Sequence, residues 1–149
     1  MPDLAAIAAK ANTKEDGVLN YVRFNLALAG TDPNQVKEVA VKPLPQSLKR
    51  KLEYKVFAKA CYHNTYEALK ALKGAGEYVL GYWHHIIPVE HCFLKIGEDY
   101  YDPTGEIVFG DKEERRYFAA FEMSYSDVKT ALKRNKNWFP DIYHYLRNA

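Results

Sequence analysis

Cys61, His91 and Asp102 carry a thiol, an imidazole and a carboxylate, the three groups that cysteine-dependent acyl transfer needs. A thiol attacks a carbonyl as its thiolate, which a helix N-terminus and a neighbouring imidazole both stabilise. The imidazole needs a third group to fix its tautomer and orientation. Cys61 opens the stretch CYHNTYEALKAL, His91 lies in PVEHCFLKIG, and Asp102 follows in YYDPTG. His63 is a poorer base for Cys61, because two residues along a helix turn the side chain about 200° away.

These groups must be held by particular elements. From Cys61 to Lys73 the apolar positions Cys61, Thr65, Ala68, Leu69 and Leu72 share one helix face, and Gly74 and Gly76 end it. The period then changes to two. EYVLGYWHHI predicts a strand over 77–86 and PVEHCFLKIG a second over 89–96. Alternation places His91, Phe93 and Lys95 on one face and Cys92, Leu94 and Ile96 on the other. Cys92 is therefore expected in the core. GED at 97–99 predicts a tight turn, and YYDP a third strand that stops at Pro103. A turn centred near Glu98 sets His91 opposite a residue near 105, with Asp102 about three residues short of it.

The flanks read as helical. Residues 3–11 predict a short helix, and TKEDGVLNYVRFNLALAG a longer one over 14–29 with Thr13 as its cap. TDPN is a turn and VKEVAV a short strand. PQSLKRKLEYKVFAKA predicts a helix interrupted before Cys61. After the charged loop DKEERR come a strand over 117–124 and a helix capped by Ser124 or Ser126. A last short helix has Pro140 in its first turn. Its stripe of Trp138, Phe139, Ile142, Tyr143 and Leu146 is expected to dock on the same domain. The order of helices, antiparallel meander and helical tail defines an α+β fold in one domain, 1–149, with its motifs in 54–125.

Composition narrows the function classes. Hydrophobic residues at 48% and charged residues at 27% are those of an ordinary globular chain. A net charge of +2 is too mild for a nucleic-acid footprint. The basic run Lys42, Lys49, Arg50, Lys51 and Lys55 reads as a solvated helix face. Two cysteines make no disulfide framework, and the N-terminus has no signal-peptide pattern, so a reducing cytoplasm is expected. No apolar run is long enough to span a membrane. His84, His85, His91, Cys92 and Asp102 are metal-ligand types, but their spacing fits no zinc signature. Adjacent His84 and His85 point to opposite faces of a strand, so no metal and no cofactor is expected.

Four pieces in order, CYHN at 61–64, YVLGYW at 78–83, PVEHCFL at 88–94 and YDPTG at 101–105, resemble the papain-like and transglutaminase-like cysteine enzymes. Their wording is similar to that of small phage and bacterial proteins of that kind. The resemblance implies Cys61 as nucleophile, His91 as general base and acid, and Asp102 as its orienter. It also implies a protein or peptide-like substrate, such as a host factor. Asn64, Tyr82 and Trp83, inside the same motifs, are read as substrate-binding. The Cys61 N–H would supply one oxyanion donor, with Tyr54 and Tyr82 as candidates for the second. The competing expectation is a binding module of the same fold that does not turn over.

Overall fold

The computed structural model describes residues 16–110 and 114–147. The helix expected over 3–11, and the Thr13 cap, lie outside the described residues. Helix α1, Gly17–Leu28, is capped by Asp16, whose carboxylate accepts from the amides of Val18 and Leu19 at 3.1 Å each. A single 3-10 turn, Pro33–Gln35, leads to two very short strands, β1 (Lys37–Val39) and β2 (Val41–Lys42). Helices α2 (Gln46–Leu52) and α3 (Cys61–Ala71) follow. Then come β3 (Glu77–His84), β4 (Pro88–Ile96) and β5 (Asp99–Tyr101). A π-helical turn, Thr104–Phe109, is followed by β6 (Arg116–Ser124), α4 (Tyr125–Arg134) and α5 (Ile142–Arg147).

The six strands form one mixed sheet in the order β1-β6-β3-β4-β5-β2, antiparallel except where β2 runs parallel to β5. The expected strand VKEVAV is thus split. Its two halves pair at opposite edges of the sheet, with only Ala40 between them. One residue spans less than about 4 Å, so the two edges must meet there and the sheet must curl.

The two faces differ. Tyr78, Leu80, Cys92, Leu94 and Phe118 pack under the helices in the main core. Val79, Phe93, Tyr100, Tyr117 and Ala119 line the inside of the curl. A bulge in β6 makes this division possible. Leu80 pairs with Phe121 but Gly81 pairs with Ala119, so one extra residue shifts the alternation. Tyr117 and Ala119 therefore point inward before the bulge, while Phe121 and Met123 join the helix-covered core after it. Gly81 permits the close approach: a Cβ there would lie 1.9 Å from the Phe118 carbonyl oxygen.

The meander is held by a two-residue hairpin at Gly97 and Glu98, with Ile96 opposite Asp99 and Gly97 at φ 61°. At the chain's far end Ile142 is buried, the Tyr145 ring packs 4.4 Å from Phe121, and Tyr78 donates to the Pro140 carbonyl at 2.7 Å. The tail therefore docks on its own domain. Tyr145 contributes to that contact, whereas Trp138 and Tyr143 of the expected stripe are exposed. Pro140 precedes α5 rather than lying in its first turn. Among the described residues, no helix is long and apolar enough to cross a membrane.

Candidate functional site

Helix α3 begins at Cys61 because the chain cannot arrive there helically. Lys59 is left-handed at φ 59°, and Ala60 is outside the helical region at φ −130°, ψ 40°. Among the described residues, no side chain caps the helix. Its first backbone N–H groups, that of Cys61 among them, have no carbonyl to bond within the helix. The approach loop is fixed from inside instead. Asn64 Oδ1 accepts from the Phe57 amide at 3.0 Å, and Nδ2 donates to the Phe57 carbonyl at 2.8 Å and to Thr104 Oγ1 at 2.9 Å. One buried amide thereby ties the loop before Cys61 to the turn after Asp102. The Thr65 hydroxyl sits between the carbonyl oxygens of Cys61 (2.9 Å) and Cys92 (3.2 Å), pinning the helix start to β4 beside His91.

His91 lies on the inner face of β4 and is 3% exposed. Its Nε2 meets Asp102 Oδ2 at 2.9 Å. The half-buried Cys61 thiol is close enough to act on the same ring, and with Nε2 engaged by Asp102 the ring nitrogen left over is Nδ1. Leu94 pairs with Tyr101, so in continued register Asp102 would oppose Phe93, making it a diagonal neighbour of His91. The chain turns at Pro103, and the carboxylate reaches back across that diagonal.

Burial opposes charge on His91, but the Asp102 carboxylate and then the Cys61 sulfur outweigh it, raising the imidazole to about 9. Burial likewise opposes charge on Asp102. The His91 ring, the Tyr117 hydroxyl and the Gly105 amide outweigh it and hold the carboxyl below its ordinary range. Tyr117 donates to Oδ2 at 2.6 Å. The Gly105 amide acts at longer reach, since Oδ1 itself receives no well-formed hydrogen bond. Gly105 has no room for a side chain: a Cβ there would lie 2.5 Å from Asp102 Oδ2 and 2.9 Å from the Tyr117 hydroxyl.

Trp83 covers His91. The two rings are parallel within 4° with centroids 3.9 Å apart. The Arg115 guanidinium lies 5.2 Å from the Trp83 ring on the way to solvent, and the Phe109 ring packs edge-on to Trp83 at 5.6 Å. The indole thus fixes the imidazole plane and shields it from water.

Of Cys61, His91 and Asp102, read from the sequence as one constellation, His91 and Asp102 meet directly, and Cys61 is close enough to act on the same imidazole. The residues read as substrate-binding divide. Trp83 is at the site, but its ring is stacked on His91. Asn64 is fully buried and its amide is satisfied within the chain, so it cannot reach a substrate. Tyr82 is buried on the helix-covered face, whereas Trp83 and His91 share the inner one. Tyr82 is therefore no partner of the imidazole. Tyr54, the other candidate oxyanion donor, is 90% exposed. Cys92 is sealed among core side chains, and burial pushes its thiol well up. Among the described residues, no group of three or more His, Cys, Asp or Glu side chains is gathered as a metal cage. His85 instead meets the Glu114 carbonyl at 3.1 Å.

Tyr117, Gly105 and Thr104 were not singled out by sequence reasoning. A Thr-Gly pair directly after Asp-Pro was a signal of a tight turn, but nothing marked Tyr117 among 12 tyrosines. No protein-family model matches the chain, no curated protein is significantly similar to it, and no solved structure matches it.

Proposed function

We propose that the protein is a cysteine-dependent acyl-transfer enzyme of papain-like or transglutaminase-like design, acting on an amide or ester-type carbonyl of a protein or peptide-like substrate. One observation carries this reading: a single buried imidazole bonds a carboxylate at 2.9 Å and has a helix-start thiol close enough to act on it. A core histidine needs no such pair of partners.

The steps follow from the atoms present. His91 Nδ1 takes the proton of Cys61 Sγ, and the sulfur adds to the carbonyl carbon. The Cys61 N–H, which has no carbonyl to bond within the helix, is the donor available to the oxyanion that forms. Collapse expels the amine, which leaves with the proton from His91, and a thioester remains on Cys61. Water, deprotonated by His91, releases an acid and restores the thiol; an amine in its place forms a new amide. Asp102 keeps the imidazolium oriented throughout. A nucleophilic thiol persists in a reducing compartment, which makes the cytoplasm of the source cell or of a host the fitting location.

The test is alkylation by iodoacetamide at pH 6–7, with the site of labelling read by mass spectrometry. Cys61 is expected to react much faster than Cys92. Since Cys92 is sealed in the core, the decisive arm is His91→Ala, which is expected to abolish the fast reaction at Cys61. Slow labelling of Cys61 in both proteins, rising only above the free-thiol value of about 8.5, would mean a binding module without turnover.

A further inference from the structure

Asp102 is served unevenly. Its Oδ2 receives both His91 Nε2 at 2.9 Å and the Tyr117 hydroxyl at 2.6 Å, while the buried Oδ1 has no well-formed hydrogen bond among the described residues. Two donors therefore compete for one oxygen, and together they set the tilt of the carboxylate. Tyr117 is itself fixed: it is buried inside the curl, with its ring edge-on to Phe93 at 5.4 Å and 64°. Its inward direction depends on the β6 bulge. A tyrosine in a wholly apolar role would need no hydroxyl here, and the short bond to a charged acceptor is of the stronger, charge-assisted kind.

We infer that Tyr117 is a positioning residue: by donating to Asp102 Oδ2 it fixes the carboxylate and withdraws charge from the oxygen that holds His91. Its catalytic consequence rests on the acyl-transfer reading; its effect on the imidazole does not. Without the hydroxyl, Oδ2 concentrates its charge on His91 and holds the imidazolium more tightly. Proton release to the leaving group then slows. A stronger phenolic donor does the opposite.

The charged and titratable groups around this pair come from four sides. Cys61 approaches His91 from α3, and Arg115 lies beside Tyr117 and over Trp83. Behind Asp102, Lys42 and Glu106 line a shallow cleft of about 200 Å³ together with Arg115 and Tyr117. Lys42 is paired with Asp99 at 2.8 Å and Glu106 with Lys49 at 3.1 Å, so their charges are engaged away from the pair. Tyr117 is the only one of these cleft side chains with a hydrogen bond to Asp102 among the described residues.

The experiment is an NMR pH titration of the His91 ring in three proteins: the unaltered chain, Tyr117→Phe, and the chain with 3-fluorotyrosine at position 117. One hydrogen bond to a charged group corresponds to about 1 pH unit. The His91 midpoint is expected to rise by about that much in Tyr117→Phe and to fall with the fluorinated ring. The alkylation-rate profile of Cys61 is expected to move in the same directions. A purely structural tyrosine would give no shift, or shifts of one sign in both variants, and either result overturns the inference. Should Tyr117→Phe fail to fold, the fluorinated protein keeps the ring's shape and decides alone. A Cys61 that never shows His91-dependent reactivity would end the acyl-transfer reading and leave the titration result standing.

Discussion

His91 and Cys92 are neighbours on one strand, both almost wholly buried, and they live in opposite worlds. Cys92 faces the helices and packs among aliphatic and aromatic side chains, with its thiol pushed up by burial. His91 faces the inside of the curl, where a carboxylate, a phenol and an indole surround it. The outer face gains stability from apolar area removed from water. The inner face holds a histidine–carboxylate pair, and breaking a buried pair by removing one partner is strongly destabilising. The lesson is that burial alone says little about a residue's role; the groups it is buried against decide.

The sharpest way to break this contrast is to unpair the inner face. Asp102→Ala leaves His91 buried without its carboxylate and is expected to destabilise the fold by about 3–5 kcal/mol, read by urea unfolding at pH 7. A loss under about 1 kcal/mol would mean that the pair adds nothing and that the inner face behaves like the outer one.

Varying pH sharpens the contrast without removing atoms. The folded imidazole is raised to about 9. Its contribution is therefore complete below the unfolded histidine value of about 6.5 and is lost as pH rises through the folded one. The Asp102 carboxyl is held low, so its contribution is present above the ordinary carboxylate range and is lost as pH falls through its folded value. The stability gap between the unaltered protein and Asp102→Asn should be widest between about pH 4 and 6.5 and close toward pH 9. A gap independent of pH would show that the pair is not ionised in the fold.

On the outer face, Cys92→Ala removes a single buried sulfur. A loss of about 1 kcal/mol is expected, as for other one-atom core deletions. The alkylation rate of Cys61 should change little, because Cys92 faces away from the imidazole, although Cys61 packs against the same core cluster as Cys92. A slowed Cys61 would show that the two faces are coupled through Thr65, whose hydroxyl lies between the carbonyls of both cysteines.

Much of the frame was legible in the chain. Period-two alternation in PVEHCFLKIG separated His91 from Cys92, and Gly97 marked the hairpin that returns Asp102 toward His91. The break before Cys61 was legible as an interruption, although its cause, a left-handed Lys59, carries no compositional mark. The helix expected over 45–60 ends at Leu52, earlier than its pattern suggests, because the chain turns before Cys61 starts a new helix. Asn64 was misread for a physical reason: a polar residue in a motif looks available until the partners that satisfy it are known. Those partners, Phe57 and Thr104, lie 7 residues before it and 40 after it.

The sequence by itself determined the helix at Cys61 and the strands of the meander that follows it, and that the thiol, the imidazole and the carboxylate follow one another along them, because periodicity and turn chemistry act over a few residues. Tertiary structure alone decided that the sheet curls shut at Ala40, that a bulge turns Tyr117 inward, and that Trp83 lies flat on His91. Those outcomes depend on contacts between strands distant in sequence, and alternation assigns a residue to a face without saying what that face will meet.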